Sequence, residues 1–276
     1  MNPKNSGLSL RETHFNQFES APAFNLAFEV IFENYLFTKG ERREKLQDFS
    51  RSRFLHLHGV TSNVGSPDVL DETFFSQLRE LGKKTKASLY SDHLCWTRLN
   101  QQSTFELLPI PRTQNMIQHV GERVSKIRDL LGCDFLLENI SSYFSYEIDE
   151  LSELEFMCEL HDRYQICFLL DLNNLYVNSK NFGFDANQFL QQIPVAAISA
   201  FHLGGHEDFG SFLFDTHGAP VTDSVKALFL KAEKRFGEKP TFLERDENIP
   251  QEIDVLALEL TDLTSADEDA VTGVNQ

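Results

Sequence analysis

Short apolar runs recur along the whole chain, and patterns typical of amphipathic helices separate most of them. The run ICFLLD at 166–171 lacks polar alternation, as expected for a parallel strand that is buried on both faces. Eight strand signals that alternate with helices over about 250 residues indicate a single (β/α)8 barrel, the TIM-barrel fold. A doubly wound open sheet is the alternative, but no G-x-G-x-x-G sequence follows the first predicted strand. The predicted strands are residues 27–32, 53–58, 87–90, 135–138, 166–171, 195–201, 212–215 and 240–244.

Length and composition are those of one globular domain followed by a short tail. The chain has 276 residues, of which 41% are hydrophobic and 24% are charged. We assign residues 1–263 to the barrel domain. Residues 264–276 are polar and acidic, and we expect them to form a disordered tail.

The charge of the chain bears on its partners and its location. The formal net charge is -17, which argues against non-specific binding to nucleic acid or to anionic membranes. No apolar stretch is long enough to span a bilayer, and the N-terminal residues do not resemble a signal peptide. We therefore expect a cytoplasmic protein with neither a nucleic acid nor a membrane as its partner.

A side chain that can bind a metal stands at the carboxyl end of nearly every predicted strand. In a (β/α)8 barrel these ends meet at one mouth, where the active sites of the fold lie. Carboxylates packed together in a mouth of low dielectric constant repel one another, and bound cations relieve that repulsion. Imidazole and carboxylate without thiolate suit iron, manganese or zinc, so the pattern predicts a multinuclear metal site. The residues are Glu33, His58, His93, Glu138, Asp171, His202, Asp215 with His217, and Glu244, and Asn174 follows three residues after Asp171.

The segment HLGGHEDFGSFLFDTHGAP at 202–220 holds three of the nine histidines of the chain. In an extended segment residues i and i+2 point to the same side, so Asp215 and His217 can direct a carboxylate and an imidazole at one point. A polar surface loop with ordinary histidines would explain the same residues. This segment alone does not decide between the two interpretations.

Two known kinds of metal protein resemble this sequence. The order of the candidate ligands resembles that of the trinuclear zinc barrel of the endonuclease IV type, although Asn174 stands where that family has a histidine. The chain is more similar to the multinuclear non-haem iron-dependent oxidases, which include the methanobactin biosynthesis oxygenase and were formerly an uncharacterised bacterial family. The matching segments, between Gly7 and about Pro250, are HGVTSNVGS from His58, SDHLCWT from Ser91, LLPIPRT from Leu107, LLENISSYF from Leu136, LLDLNNLYVNS from Leu169, HLGGH from His202, DTHGAPV from Asp215 and LERDENIP from Leu243.

This second resemblance implies a xylose isomerase-like TIM barrel that binds two or three irons in mixed Fe(II) and Fe(III) states. It implies an oxidase that uses O2 to modify a ribosomally made precursor peptide, most often at cysteine. It also implies a small leader-recognition protein as a heterodimeric partner. Carried over residue by residue, the resemblance implies that His58 and His93 hold the first iron and that Glu138 bridges it to the second. Asp171, His202 and Glu244 would complete the second iron site. Asn174, Asp215 and His217 would hold a third iron more weakly.

The chain departs from the family pattern at two places. Phe105-Glu106 stands where the family often has His-Asp, and Gly218 stands where it often has Asp. We expect these departures to change contacts with the substrate near the mouth rather than the metal site.

Two further residues are candidates for catalytic roles. His206 is either a ligand or proton donor, or else an ordinary loop histidine. Asp246 either contacts the substrate or forms a surface ion pair. We place Glu33 outside the set of ligands, and we place His56 on the face of its strand opposite to His58.

Two other functions fit parts of the pattern. A metal-dependent hydrolase or isomerase could act on a phosphodiester or a sugar with the same barrel, although the net charge of -17 disfavours nucleic acid as its substrate. A protein that binds iron only to present a peptide is the non-enzymatic alternative, and the full set of ligands disfavours it.

Overall fold

The structure is a computed structural model that describes residues 6–15, 17 and 26–265. Within these residues eight parallel strands close into a barrel that is surrounded by helices, so the predicted TIM barrel is confirmed. The strands are β1 (Ser6–Ser9), β2 (Ala27–Ile31), β3 (Leu55–Gly59), β4 (Leu89–His93), β5 (Trp96–Leu99), β6 (Gln102–Leu108), β7 (Leu136–Glu138), β8 (Phe168–Asp171), β9 (Ile198–Leu203), β10 (His206–Asp208), β11 (Leu213–Asp215) and β12 (Thr241–Leu243). The helices are α1 (Glu33–Leu36), α2 (Glu41–Ser50), α3 (Glu72–Thr85), α4 (Gln114–Leu131), α5 (Glu153–Tyr164), α6 (Leu172–Phe182), α7 (Ala186–Gln192), α8 (Asp223–Phe236) and α9 (Ile253–Ser265).

The hydrogen-bonded order around the barrel is β1, β12, β9, β8, β7, β4, β3 and β2, which pairs again with β1. Four strands lie outside this ring and form two antiparallel hairpins, β5 with β6 and β10 with β11. The first hairpin follows β4 and the second follows β9. Because loops after parallel barrel strands lie at the carboxyl-terminal face, both hairpins flank the mouth of the barrel.

One of the eight predicted barrel strands is wrong. Of the predicted strand 212–215, residues 213–215 form β11, which pairs antiparallel with β10 and takes no part in the barrel. The eighth barrel strand is β1, whose sequence SGLS contains no apolar run that would reveal it. The strand fits between its neighbours because Gly7 lacks a side chain. A Cβ there would lie 2.6 Å from the Ala27 carbonyl oxygen and 2.8 Å from the Phe242 ring.

Side chains alternate between two environments along each barrel strand. On β3, Leu55 and Leu57 join the apolar core, whereas the rings of His56 and His58 lie 5.7 Å apart inside the barrel. The predicted face of His56 is therefore wrong, because residues two apart in a strand share a face.

The apolar core contains many fully buried phenylalanine rings, including Phe28, Phe75, Phe135, Phe168 and Phe229. Inside the barrel, a separate apolar cluster is formed by residues of β7, β8 and β9. Each of its three central residues stands two positions before a predicted metal ligand. Because side chains alternate along a strand, the cluster and the predicted ligands share the inner face of the barrel. The cluster residues are Leu136, Leu169 and Ala200.

Helix ends follow signals that are visible in the sequence. The Asp71 carboxylate accepts hydrogen bonds from the backbone N–H groups of Thr73 and Phe74 at 3.0 and 3.1 Å, and α3 begins directly after it. Gly132 ends α4 with φ of 76°, a left-handed conformation that suits glycine.

The last helix reaches beyond the predicted domain boundary. The helix α9 continues to Ser265, so it includes the first two residues of the segment that we assigned to the tail. Residues 266–276 of the predicted tail lie outside the described residues. None of the helices in the described part of the chain is long and apolar enough to cross a membrane.

Candidate metal centre

Six predicted ligands stand at the carboxyl ends of six barrel strands and converge on the mouth. Strand alternation accounts for their direction, because each shares the inner face with the residue two positions before it. Their burial removes these polar groups from water, so they must find partners among themselves or in a bound ion. The six buried candidate ligands are His58, His93, Glu138, Asp171, His202 and Glu244.

We define site 1 as His58, His93 and Glu138. Glu138 Oε2 lies 3.2 Å from His58 Nε2 and 3.5 Å from His93 Nε2. The two imidazole rings are 4.7 Å apart between centroids and are inclined at 66°. Their ligand atoms all lie within 4.8 Å of one another, a spacing that suits one shared cation.

We define site 2 as Glu138, Asp171, His202 and Glu244, whose ligand atoms also lie within 4.8 Å of one another. His202 Nδ1 lies 3.1 Å from Glu138 Oε1 and 3.3 Å from Glu244 Oε2. Glu138 therefore directs one carboxylate oxygen to each site. A carboxylate in this position can bridge two cations.

We define site 3 as Asn174, Asp215 and His217, and this site is more loosely built. His217 Nε2 lies 3.3 Å from Asp215 Oδ1 and 3.4 Å from Asp171 Oδ2. Both oxygens of Asp215 already accept hydrogen bonds, from Asn173 at 2.9 Å and from Ser141 at 3.0 Å. Asp215 would have to share these oxygens with a cation.

The backbone brings the residues of site 3 together in a way that strand alternation does not explain. Asp215 and His217 do converge, but His217 has φ of 44°, a left-handed conformation that non-glycine residues rarely adopt. The His217 ring packs against Gly204, where a Cβ would lie 2.0 Å from its Cδ2 atom. Asn174 donates from Nδ2 to the Asn139 carbonyl oxygen at 3.1 Å, which leaves its Oδ1 available.

Several buried atoms of these residues have no hydrogen-bond partner within the described part of the chain. Buried polar atoms nearly always have one, because leaving such a group unpaired costs about 1–3 kcal/mol. Some of these atoms face one another at ion-pair distances, such as those between His58 and Glu138 and between His217 and Asp171. A cation placed between them would satisfy them, so the donor set fits a metal. The atoms are His58 Nε2, Glu138 Oε2, Asp171 Oδ2, Asn174 Oδ1 and His217 Nε2.

A layer of buried polar residues lies beneath sites 1 and 2. Glu29 Oε2 lies 2.7 Å from His202 Nε2 and 2.6 Å from His56 Nδ1. Ser91 Oγ lies 2.7 Å from His56 Nε2 and 2.6 Å from His58 Nδ1. These contacts connect His58 of site 1 with His202 of site 2. The connection runs through Glu29, His56 and Ser91. Sequence reasoning missed Glu29, because it lies in mid-strand rather than at a strand end.

This layer fixes which nitrogen of each histidine carries a proton. Burial raises the pKa of Glu29, but the nearby histidines outweigh burial and hold that pKa well below its usual value. Glu29 is therefore an ionised carboxylate, which accepts hydrogen bonds and donates none. Burial lowers the pKa of His56, so we treat this ring as neutral, with its proton on Nδ1 towards Glu29. Its Nε2 then accepts the Ser91 proton, and Ser91 Oγ accepts the N–H of His58. His58 Nε2 thereby directs its lone pair at site 1, and His202 Nδ1 faces site 2, where a metal would take the place of its proton.

The carboxylates give the centre a strongly negative potential. Burial alone would lower the pKa of His202 and of His217, but the surrounding carboxylates raise the pKa of both well above the usual value. Burial is likewise outweighed at His93, where Glu138 and Asp92 raise the pKa to about 9. A metal that binds such histidines displaces their protons. The same potential that holds protons here would therefore attract cations.

The chain matches one enzyme family over nearly all of its length. A sequence model of the RiPP precursor modification enzymes MbnB/TglH/ChrH covers residues 5–267. The chain belongs to this family. Membership confirms the resemblance found in the sequence and identifies an enzyme that modifies a ribosomally made precursor peptide.

The chain is similar to several relatives in sequence and to several solved structures in fold. A UPF0276 protein of Caulobacter vibrioides is 38% identical over 253 residues, which are 91% of this chain and 90% of that protein. A UPF0276 protein of Anaeromyxobacter sp. is 35% identical over 244 residues, 88% of this chain and 86% of its own. A xylose isomerase domain containing protein of Salmonella typhimurium has a TM-score of 0.65 at 13% identity, covering 95% of this chain and 98% of that one. The 3-keto-D-glucoside 4-epimerase of E. coli has a TM-score of 0.63 at 12% identity, and the match covers 95% of this chain and 99% of that one. These two structures show the shared barrel fold and nothing more.

Arg11 reaches the mouth from the segment after β1. Its Nη2 lies 2.8 Å from Glu244 Oε1, and its Nε donates to Asp246 Oδ1 at 3.0 Å. Asp246 Oδ2 also lies 3.5 Å from His217 Nδ1, so this carboxylate belongs both to an ion pair and to the rim of the centre. Arg245 points away and pairs with Glu259 at 2.8 Å. Sequence reasoning missed Arg11 because it missed the strand before it.

His206 lies behind the centre rather than in it. Its Nδ1 lies 2.7 Å from Asn173 Oδ1, and Asn173 Nδ2 donates to Asp215 Oδ1 at 2.9 Å. The ring packs 5.3 Å from the ring of Tyr176 and does not line the mouth cavity. The His206 side chain therefore reaches site 3 through Asn173, and the His206 backbone pairs with that of Asp215 in the hairpin.

Glu33 belongs to none of the three candidate sites and contacts the loop after β3. Its Oε1 accepts hydrogen bonds from the backbone N–H groups of Val60 and Thr61 at 2.8 and 2.9 Å. Burial and the nearby Asp92 carboxylate raise the pKa of Glu33 to about 7.

The mouth opens into a cavity of about 430 Å³. Glu106, at one of the departures from the family pattern, lines this cavity, and the neighbouring Phe105 side chain is 91% exposed. Tyr143 and Phe214 form an aromatic part of its wall. At Phe105-Glu106 the chain thus differs from its family in the wall of the cavity and not in a candidate ligand.

Proposed function

We propose that this protein is an oxidase that uses iron and O2 to oxidise a cysteine of a ribosomally made precursor peptide. The position of Glu138 carries the proposal, because its Oε2 lies 3.2 Å from His58 Nε2 while its Oε1 lies 3.1 Å from His202 Nδ1. That geometry supports a bridged metal pair. Membership of the family of RiPP precursor modification enzymes supports the peptide substrate.

The donor set favours iron among the candidate metals. The three sites offer imidazole, carboxylate and one amide oxygen, and an amide oxygen such as that of Asn174 is a poor zinc ligand compared with histidine. Bound iron would supply redox chemistry, since Fe(III) binds a thiolate and Fe(II) can pass electrons to O2. We propose two or three ions of mixed oxidation state, with the third in site 3.

The residues of this chain hold and orient the reacting groups. Ser91 and Glu29 keep His58 Nε2 and His202 Nδ1 directed at the metal positions, so binding requires little rearrangement. Arg11 neutralises part of the negative charge at the rim, where a thiolate would enter. A cavity of about 430 Å³ admits a side chain and the adjoining peptide groups but no folded domain. The reacting residue must therefore arrive on an extended segment.

The two candidate catalytic residues take different roles in this proposal. Asp246 lines the cavity and is placed to contact the substrate. His206 acts as a positioning residue, because its contact with Asn173 orients the amide that donates to Asp215.

The decisive experiment compares the reaction with and without O2. The purified protein is incubated with the precursor peptide encoded beside its gene, and the product is analysed by mass spectrometry. We expect a mass change on the cysteine-containing fragment only when O2 and protein-bound iron are both present. Replacing that cysteine by serine should abolish the reaction, because an alcohol binds ferric iron poorly.

The outcomes separate the oxidase from its alternative. An unchanged rate without O2, or activity restored by zinc and not by iron, would overturn the proposal. Either result would favour a metal-dependent hydrolase or isomerase on the same barrel.

We also propose that a small leader-recognition protein delivers the peptide as a heterodimeric partner. The resemblance to peptide-modifying oxidases supports this partner. Calorimetric titration of this protein with the product of a neighbouring gene should show a one-to-one complex, and the absence of heat for every such product would argue against delivery by a partner.

A further inference from the structure

The hairpin of β10 and β11 carries an exposed aromatic surface beside the mouth. The side chains of Phe209, Phe212 and Phe214 are 56%, 43% and 41% exposed, and Tyr143, from the loop after β7, is 45% exposed. We call these four residues the aromatic platform. Contiguous exposed apolar surface on a protein marks a site of interaction.

The rings of the platform form a continuous row. Phe209 and Phe212 stack with centroids 5.3 Å apart and planes inclined at 11°. Phe214 meets Phe212 edge-on at 6.4 Å, and Tyr143 stacks on Phe214 at 5.1 Å. Tyr143 and Phe214 also line the cavity. The row therefore leads from the tip of the hairpin to the metal centre.

Hydrogen bonds fix the platform relative to site 3. The Asn181 side chain accepts from the Leu213 N–H at 2.8 Å and donates to the Leu213 carbonyl oxygen at 2.9 Å. The Asp215 N–H donates to the Tyr143 hydroxyl oxygen at 2.9 Å. A side chain bound on the platform would thus be held at a set distance from the metal ligand Asp215.

The charges around the platform limit what can bind there. The carboxylates of Glu207 and Asp208 are exposed on β10, and those of Glu106 and Asp246 line the cavity. Arg11 is the only lysine or arginine among the described residues that line the cavity, and it is paired with Asp246. Acidic groups in this region would meet like charges.

We infer that the aromatic platform binds an aromatic or large apolar side chain of the precursor peptide, close in sequence to the modified residue, and that the surrounding carboxylates select against acidic neighbours. The inference rests on the proposed peptide substrate. Tyr143 and Phe214 belong both to the platform and to the cavity wall, so a ligand that covers the whole platform also reaches the cavity. An extended peptide can do this, whereas the cavity is too small for a folded partner.

The test measures binding of fluorescein-labelled peptides to the full-length protein under nitrogen, so that turnover is excluded. The first peptide is Gly-Ser-Ser-Phe-Ser-Cys-Ser-Phe-Ser-Ser-Gly, and two others carry alanine or glutamate in place of both phenylalanines. The wild-type protein should bind the phenylalanine peptide about tenfold more tightly than the alanine peptide, in line with one or two well-placed aromatic contacts. The glutamate peptide should bind most weakly.

Variants at the tip of the hairpin connect this preference to the platform. Phe209→Ser with Phe212→Ser should bring the affinities for the phenylalanine and alanine peptides to within about twofold, whereas Phe212→Trp should keep the preference. Val195→Ser is the matched control, since Val195 is exposed at the amino end of the barrel and its loss should change nothing. Equal affinity of the wild type for both peptides, no measurable binding of the phenylalanine peptide, or a preference that survives the double change would overturn the inference.

A fourth peptide separates this inference from the proposed function. It keeps both phenylalanines and has serine in place of cysteine. If cysteine makes no difference but the phenylalanine preference remains, the thiol chemistry is wrong and the platform stands. If cysteine matters but phenylalanine does not, the platform is wrong and the proposed function stands.

Discussion

Sites 1 and 3 use similar side chains but differ in how those side chains are held. In site 1 both histidines stand on barrel strands, and a second buried atom anchors each ring. His58 Nδ1 lies 2.6 Å from Ser91 Oγ, and His93 Nδ1 lies 3.0 Å from the Gly59 carbonyl oxygen. In site 3, Asp215 comes from a hairpin and His217 from a left-handed turn.

The difference concerns what must change when a metal binds. In site 1, His58 Nε2 already presents a lone pair, and at His93 a metal has only to displace a proton. Asp215 accepts two hydrogen bonds through the oxygens that it would offer to a metal. We therefore expect sites 1 and 2 to fill first and to bind more tightly than site 3.

Removing the shared ligand should have the largest effect. Glu138→Gln removes the charge and one of the two oxygens that face sites 1 and 2, so the variant should lose most of its iron from both. Activity should fall by more than about 100-fold, beyond the effect of changing a residue that only supports a ligand. Elemental analysis and circular dichroism check the iron content and the fold. Full iron content with normal turnover would show that Glu138 is not a ligand.

Removing a ligand of site 3 should have a smaller and more selective effect. His217→Ala should lose the most weakly held iron while the irons of sites 1 and 2 remain. His217 is not one of the candidate ligands that define those two sites, and it meets site 2 only through its contacts with Asp171 and Glu244 at 3.4 and 3.5 Å. Mössbauer spectra of iron-57 protein would resolve the loss of one component. His119→Ala removes a histidine that instead contacts the Ser66 carbonyl oxygen at 2.8 Å, and it should lose no iron. Loss of all iron from the His217 variant would contradict the separation of the two regions.

The anchors of site 1 can be tested without touching a ligand. Ser91→Ala removes the hydroxyl that holds His58 Nδ1, and the affinity of site 1 should weaken by about 10–100-fold. Competition with a chelator measures this change. Ser50→Ala is the matched control, because it removes another buried hydroxyl, one that donates to the Gln47 carbonyl oxygen at 3.0 Å. If both variants bind metal like the wild type, the layer beneath the sites serves packing alone.

The smallest expected effect concerns a partly buried carboxyl that belongs to none of the three sites. Burial raises the pKa of Glu153 from 4.5 to about 7, and Arg112 and a hydrogen bond from Asn178 offset only part of that rise. Because the folded-state pKa is raised, this group destabilises the fold increasingly as pH rises from 4.5 through about 7. Glu153→Gln should therefore be about 1 kcal/mol more stable than the wild type at pH 8 and equal to it at pH 4. Thermal unfolding at both pH values checks this, and a lower melting temperature at pH 8 would contradict it.

The ligands on barrel strands could be predicted because their signal is local. Each is a polar residue that ends an apolar run, and chain order alone places these ends at one mouth. Glu29 and Arg11 carry no such signal. Their main contacts are with His202, 173 residues away, and with Glu244, 233 residues away. Such contacts exist only once the barrel has closed.

The prediction of barrel strands failed at an apolar segment that lies outside the barrel and at a barrel strand that lacks an apolar run. Residues 212–214 are apolar because two of them, Phe212 and Phe214, belong to the aromatic platform, whereas the buried β1 has the sequence SGLS. A strand of four residues between two others is recognised by its pairing partners, which the sequence does not show.

The sequence by itself determined the barrel and the mouth at which its candidate ligands meet. Strand periodicity and chain order are enough for that, because they depend on neighbouring residues. Only the tertiary structure decided which oxygen of Glu138 faces which histidine, which nitrogen of His58 is free, and that a hairpin supplies Asp215. These properties depend on distances of about 3 Å between atoms of residues far apart in the chain, and at that range one hydrogen bond changes what a side chain can bind.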